Sequence, residues 1–192
     1  MSGPLNRVYR LAILAVLTAV AGCAAQPGTQ HRAGGSNVPP AAPHAGKSTE
    51  RLTSLESVLR SRLVSTDAVV LSDPGLVRIR FIVAAAFSAD AAEFSSDADE
   101  ILQPLAEAIT EFPATRVEVR VYTDDLDSSP HALGLTQQRA ELIGSYLTQH
   151  GIASNRINAR GEGPINPIKG NSEPEDRRAN RRVEISISAL SS

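Results

Sequence analysis

Apolar residues recur along this chain with two different periods, and the switches between them mark out its elements. Leu52, Leu55, Val58, Leu59 and Leu63 fall at helical spacing, with Ser48 or Thr49 available as a cap. They predict an amphipathic helix over 48–66, whose simpler role is to pack on its own domain rather than on a partner. From residue 67 the spacing shortens to two. Ala68–Ser72 reads as a strand, Asp73-Pro74-Gly75 as a turn, and Leu76–Val83 as a second strand with Val77, Ile79 and Phe81 on one face. Ser96–Phe112 returns to helical spacing through Ile101, Leu105, Ala108, Ile109 and Phe112. Pro104 inside it predicts a kink or a late start. Val117, Val119 and Val121 alternate as a strand that runs into Tyr122-Thr123-Asp124. A helix over Thr136–His150, capped by Thr136, turns Ala140, Ile143 and Leu147 inward and stops at Gly151. Ile157–Arg160 is a short strand, 161–180 a Gly/Pro/Asn-rich loop, and Val183, Ile185 and Ile187 a last strand. The order βαβαββ over 67–192 predicts an α+β sandwich, helices packed on one face of a mixed sheet.

The chain before this domain follows other rules. Arg7 and Arg10 precede an apolar stretch from Leu11 to Ala21, then small residues and Cys23. That is the layout of a secretory signal over 1–22. Residues 24–47 are rich in Pro, Gly and Ala and hold no acid and no aromatic residue. They predict a disordered linker, with His31 and His44 as solvated linker histidines rather than metal ligands.

Composition narrows the chemistry. With 19 Lys+Arg against 21 Asp+Glu, the net charge of −2 argues against a nucleic-acid partner. A single cysteine excludes an internal disulfide and any multi-cysteine metal site. Asp124, Asp125, Asp127 and His131 crowd together, but without the glycine and terminal glutamate of a calcium loop. No nucleophile stands beside an evident base, and no paired-histidine motif is present, so no catalytic residue, metal or cofactor is expected.

Two resemblances carry the functional reading. Val20-Ala21-Gly22-Cys23 resembles the bacterial lipobox. That likeness implies acylation of Cys23, a mature chain beginning there, and membrane attachment through lipid. Ala24 after the cysteine, where an aspartate tends to retain lipoproteins at the inner membrane, implies the outer membrane, with the domain facing the periplasm. The second lies in Thr123-Asp124, then Leu135-Thr136-Gln137-Gln138-Arg139-Ala140, then Asn180-Arg181-Arg182-Val183-Glu184. Their order and spacing resemble the OmpA-like peptidoglycan-binding domain, over about residues 67–189. The lipobox, linker and domain together resemble peptidoglycan-associated lipoproteins. The resemblance implies a non-enzymatic grip on the free end of diaminopimelate in the wall's stem peptide, tethering membrane to wall. Asp124 corresponds to the ammonium partner and Arg139 to the carboxylate clamp, with Thr123 beside them and Arg181 as a further candidate. A guanidinium suits a carboxylate because it binds it bidentately. A helix beginning at Thr136 would add its positive end beneath the same anion.

The chain departs from the family pattern in places. Val121-Tyr122 stands where Gly-His is usual, Asp127 where a loop glycine is usual, and Ala132 where an asparagine is common. These departures, and the leucine helix at 52–63, motivate the alternative of an envelope adaptor that mainly binds a periplasmic protein. Arg177, Arg178, Arg181 and Arg182 form the densest basic cluster, suited either to wall carboxylates or to anchoring their own loop, with Asn180 ordering that loop.

Overall fold

The computed structural model describes residues 43–89, 91–125 and 130–190, with side chains from residue 46 onward. Cys23, the signal, the linker up to residue 42 and Asp127 lie outside the described residues.

Helix α1 spans Pro43–Arg62 and so takes in residues 43–47, which the linker was expected to hold. A proline at the first helical position costs little, because its missing N–H would have had no partner there. Leu52, Leu55, Leu59 and Leu63 are buried against the rest of the domain, as expected of a helix that packs on its own chain. At the end of the helix, Arg62 pairs with Glu111.

Strands β1 (Val69–Asp73) and β2 (Leu76–Ile82) form an antiparallel hairpin closed by Pro74-Gly75. Gly75 has φ 76°, a conformation that the expected turn reserves for glycine. Helix α2 (Ala98–Thr110) carries Pro104 in its interior. The late-start alternative therefore fails. The roughly 3 kcal/mol cost of an interior proline is offset by burial of Ile101, Leu102, Leu105 and Ile109 on one face. Strand β3 (Thr115–Tyr122), helix α3 (Pro130–Gln149), strand β4 (Ile157–Gly163), the short helix α4 (Pro174–Asn180) and strand β5 (Arg182–Ala189) complete the chain. The predicted βαβαββ order is β2-α2-β3-α3-β4-β5, with β1 prefixed as the hairpin partner of β2. The segment 161–180, expected as loop throughout, contains the end of β4 and all of α4.

The sheet runs β1-β2-β5-β3-β4, antiparallel except where β3 lies parallel to β4. The helices cover one face. Val77, Ile79, Phe81, Val117, Val119, Val121, Val183, Ile185 and Ile187 point into it and join α1, α2 and α3 in one core. The opposite face is ionic. Arg78, Arg80, Glu118, Arg120 and Glu184 alternate with the buried set, as a period of two requires.

Candidate functional site

Three pieces of chain meet at one end of the sheet. The first is the end of β3. Between Val121 and Tyr122 the pairing with β4 shifts register, so that Tyr122 faces Gly163. The extra residue, Glu162, is on β4, and it is that strand which the bulge bends and twists. Thr123 stays tied, its N–H donating to Gly163 O at 2.9 Å, and Asp124 turns inward to only 5% exposure.

The second piece is α3, and here the expectation needs correcting. The helix begins at Pro130, two turns before Thr136. Thr136 is not its cap: its hydroxyl donates to Leu133 O (2.9 Å) and accepts the Gly163 N–H (3.2 Å). Arg139 is therefore well inside the helix, and no helix N-terminus lies beneath it. What holds Arg139 is a loop. Its Nε donates to Ala91 O at 2.9 Å and its Nη2 to Ser88 O at 3.3 Å, and the guanidinium lies 5.4 Å from the ring centre of Phe87. A cation 7% exposed needs such partners, because burying an unpaired charge costs several kcal/mol. Gly161 lets α3 approach this closely: a Cβ there would overlap the backbone of Thr136 and Gln137, and its N–H donates to Gln137 Oε1 at 2.8 Å.

The third piece is the junction of α4 and β5. Asn180 is fully buried. Its Oδ1 accepts the N–H groups of Ile168 and Lys169, and its Nδ2 donates to Lys169 O and Asn171 Oδ1, so it does order the 164–173 loop. Arg181 comes next, half-exposed, and pairs with the Asp124 carboxylate.

These pieces enclose a cavity of about 500 Å³. Thr123, Asp124, Arg139 and Arg181 all line it, so the four candidates read from the sequence converge. Ala132, Leu135 and Thr136 line it too. The sequence reading missed its far wall, Val83 to Ala89, where the Val83 N–H donates to Arg181 O at 2.8 Å. Phe87 bridges back to Phe94 and stacks on it at 5.3 Å. Two of the chain's four phenylalanines bracketing an Ala/Ser-rich stretch were the available signal.

Other candidates fall elsewhere. Val121 is core, and Tyr122 is buried under the Arg182 guanidinium, 3.8 Å from its ring centre, so neither reaches the cavity. Arg177 Nη1 is spent on the carbonyls of Asn171 and Ser172, Arg182 on Glu184 and the Asn166 carbonyl, and Arg178 is exposed. Two members of the basic cluster, Arg177 and Arg182, thus anchor their own loop. His131 is exposed, and among the described residues no three His, Cys, Asp or Glu side chains gather as metal ligands.

The OmpA family model matches residues 86–181. The chain is 33% identical over 135 residues to the probable lipoprotein YiaD of Escherichia coli, covering 70% of this chain and 62% of that protein. It is 38% identical over 102 residues to the peptidoglycan-binding protein ArfA of Mycobacterium tuberculosis, covering 53% of this chain and 31% of that one. It thus spans less than two thirds of either relative. Among solved structures, a putative MotB-like protein from Desulfovibrio vulgaris superposes with TM-score 0.68 at 21% identity, over 76% of this chain and 96% of that one. The periplasmic domain of Helicobacter pylori MotB gives 0.58 at 25% identity, over 65% and 80%. The first of these likenesses speaks for the fold alone.

Proposed function

The chain belongs to the OmpA family, and from that premise we propose that it binds peptidoglycan without cleaving it, gripping the free end of diaminopimelate in the stem peptide. The observation that carries this is the convergence of one carboxylate and two guanidiniums on a single pocket. The diaminopimelate tip is an amino acid: an ammonium and a carboxylate on one carbon. Asp124 takes the ammonium. Arg139, oriented by the Ser88 and Ala91 carbonyls, takes the carboxylate; Arg181, the partner of Asp124 before ligand arrives, leaves the site with one positive charge in excess, and Thr123 lines the approach. Ligand entry exchanges the Asp124–Arg181 pair for a pair with the incoming ammonium, so net binding is the difference of two charge-assisted contacts.

A relative named as a lipoprotein and another named as peptidoglycan-binding support the same reading. In it, Cys23 carries lipid at the outer membrane, the segment after it is the tether, and the domain reaches through the periplasm to the wall. Two acyl chains or more hold such an anchor stably. The adaptor alternative has lost most of its motives. The leucine helix is buried in its own core, and Val121 and Tyr122 do not face the pocket.

The test is co-sedimentation of the full chain with purified peptidoglycan. Asp124→Ala and Arg139→Ala should each weaken binding by tenfold or more, as loss of a contact of about 1.5–3 kcal/mol implies. Equal sedimentation of all three proteins, or none by the wild type, sinks the proposal. For the anchor, Cys23→Ser should move the chain from the membrane fraction to the soluble one.

A further inference from the structure

Large apolar side chains belong in a core when one is within reach, yet this fold leaves three of them outside, one on α3 and two on the loop after β4. Leu133 is 51% exposed, Ile165 49% and Ile168 40%, half of the six large apolar side chains so exposed among the described residues. The loop that carries the isoleucines is tightly held. Asn166 adopts φ 52°, a left-handed conformation that few residues with a Cβ other than asparagine and aspartate visit, and its carbonyl accepts Arg182 Nη2 at 3.0 Å. The Ile168 and Lys169 N–H groups both donate to the buried Asn180, at 2.8 and 3.1 Å. The backbone is thus fixed at these points while its isoleucines face water.

Both ends of this loop are tied to residues of the pocket or their neighbours. A methyl group placed on Gly163, two residues before Ile165, would meet Leu133 Cδ1 at 3.5 Å. Gly163 in turn holds the Thr123 N–H and donates to Thr136, both pocket residues. At the other end of the loop, Asn180 leads directly into Arg181.

We propose that Leu133, Ile165 and Ile168 form a shelf for the rest of the wall peptide, next to the pocket that holds its charged tip. This rests on the function proposed above. Diaminopimelate in a stem peptide is bonded to neighbours at its far end, so that chain must leave through the mouth and run over what borders it. Residues Pro164 to Ile168 carry no ionisable side chain. The surface they offer suits the methyl and backbone of the adjoining alanine, and gives an anionic polymer nothing to bind.

The experiment compares two probes on the full chain by calorimetry: free meso-diaminopimelate, and the stem tetrapeptide ending in D-alanine. The wild type should bind the tetrapeptide about tenfold more tightly. Leu133→Ser combined with Ile165→Ser should erase that advantage and leave the affinity for free diaminopimelate unchanged. Ile165→Ser alone, on an exposed loop, should remove part of it. Three outcomes overturn the shelf: an advantage that survives both substitutions, equal affinity of the wild type for the two probes, or a parallel loss for both, which would make the patch a support of the pocket. Failure of the wild type to bind either probe overturns the pocket reading itself, and the shelf with it.

Discussion

At the scale of single residues, the pocket is defined by how each charge is held before any ligand arrives. Arg139 commits Nε and Nη2 to two carbonyls and lays its plane near Phe87, so its fork is fixed in orientation. A lysine would keep the charge but not the fork. Arg139→Lys should therefore retain a folded protein yet lose most peptidoglycan binding, with stability lowered by about 1–3 kcal/mol through the unpaired Ser88 and Ala91 carbonyls. Co-sedimentation and urea unfolding measure the two effects separately, and wild-type binding by this variant would exclude bidentate recognition. Ala132 offers the converse test. It lines the pocket, at the position where the resemblance places an asparagine. Ala132→Asn should raise affinity for diaminopimelate about threefold to tenfold, the worth of one added hydrogen bond. An unchanged or lower affinity would mean that the present wall already fits its ligand.

At the scale of elements, the pocket depends on how closely α3 approaches β4. Gly161 is the point of contact, with no room for a methyl group between it and the backbone of Thr136 and Gln137. Gly161→Ala should lower stability by more than about 2 kcal/mol, since the obstacle is helix backbone rather than a yielding side chain. By moving α3 it should weaken peptidoglycan binding beyond what the surviving folded fraction explains, as thermal unfolding and co-sedimentation together would reveal. The elements also show where sequence pattern is sufficient. The strands were legible because alternation admits no compromise: Val117, Val119 and Val121, or Val183, Ile185 and Ile187, can all be buried in only one way. The first two turns of α3 were not. Its buried face runs through Ala132, Thr136, Arg139, Ala140, Ile143, Gly144 and Leu147, a regular helical repeat in which two members are polar. Thr136 thus looked like a cap when it is an interior residue bonded to Gly163. Helix α4 carries its signal in Pro174, Glu175 and Asp176 at its start, but its short, largely polar run gives no apolar period to find. The four residues that line the pocket together could be named beforehand only through the family resemblance that the motifs carry. The Arg181–Asp124 pair and the Ser88–Ala91 cradle could not, because both are contacts between distant parts of the chain.

At the scale of the whole molecule, the sheet divides the domain into an apolar side roofed by helices and an ionic side that is not. On the ionic side Glu184 is the focus. Its Oε1 accepts Arg182 Nε at 2.7 Å and Arg80 Nε at 3.1 Å, and Arg78 lies 3.9 Å from its Oε2. Burial pushes the Glu184 carboxyl up, but the Arg182 hydrogen bond and the charges of Arg182, Arg80 and Arg78 together outweigh it and hold the group below the usual carboxylate range. A carboxyl more acidic in the folded state than in the unfolded chain stabilises the fold wherever it is ionised in both. That contribution is complete above the ordinary glutamate value of about 4.3 and drains away as pH falls through the lower folded value. Glu184 also reaches the site, because the Arg182 it orients bonds to the Asn166 carbonyl and lies over Tyr122, at the base of the loop bordering the pocket. Acid should therefore loosen the ionic face and the rim of the pocket together. Glu184→Gln should lower the urea midpoint at pH 7, where three arginines lose their shared anion, and should flatten the fall in midpoint between about pH 5 and pH 2 relative to the wild type. If the two midpoint curves stayed parallel down to about pH 2, Glu184 would not be the group that ties the ionic face to acid stability, and the coupling to the loop would have to run through Asn180 alone.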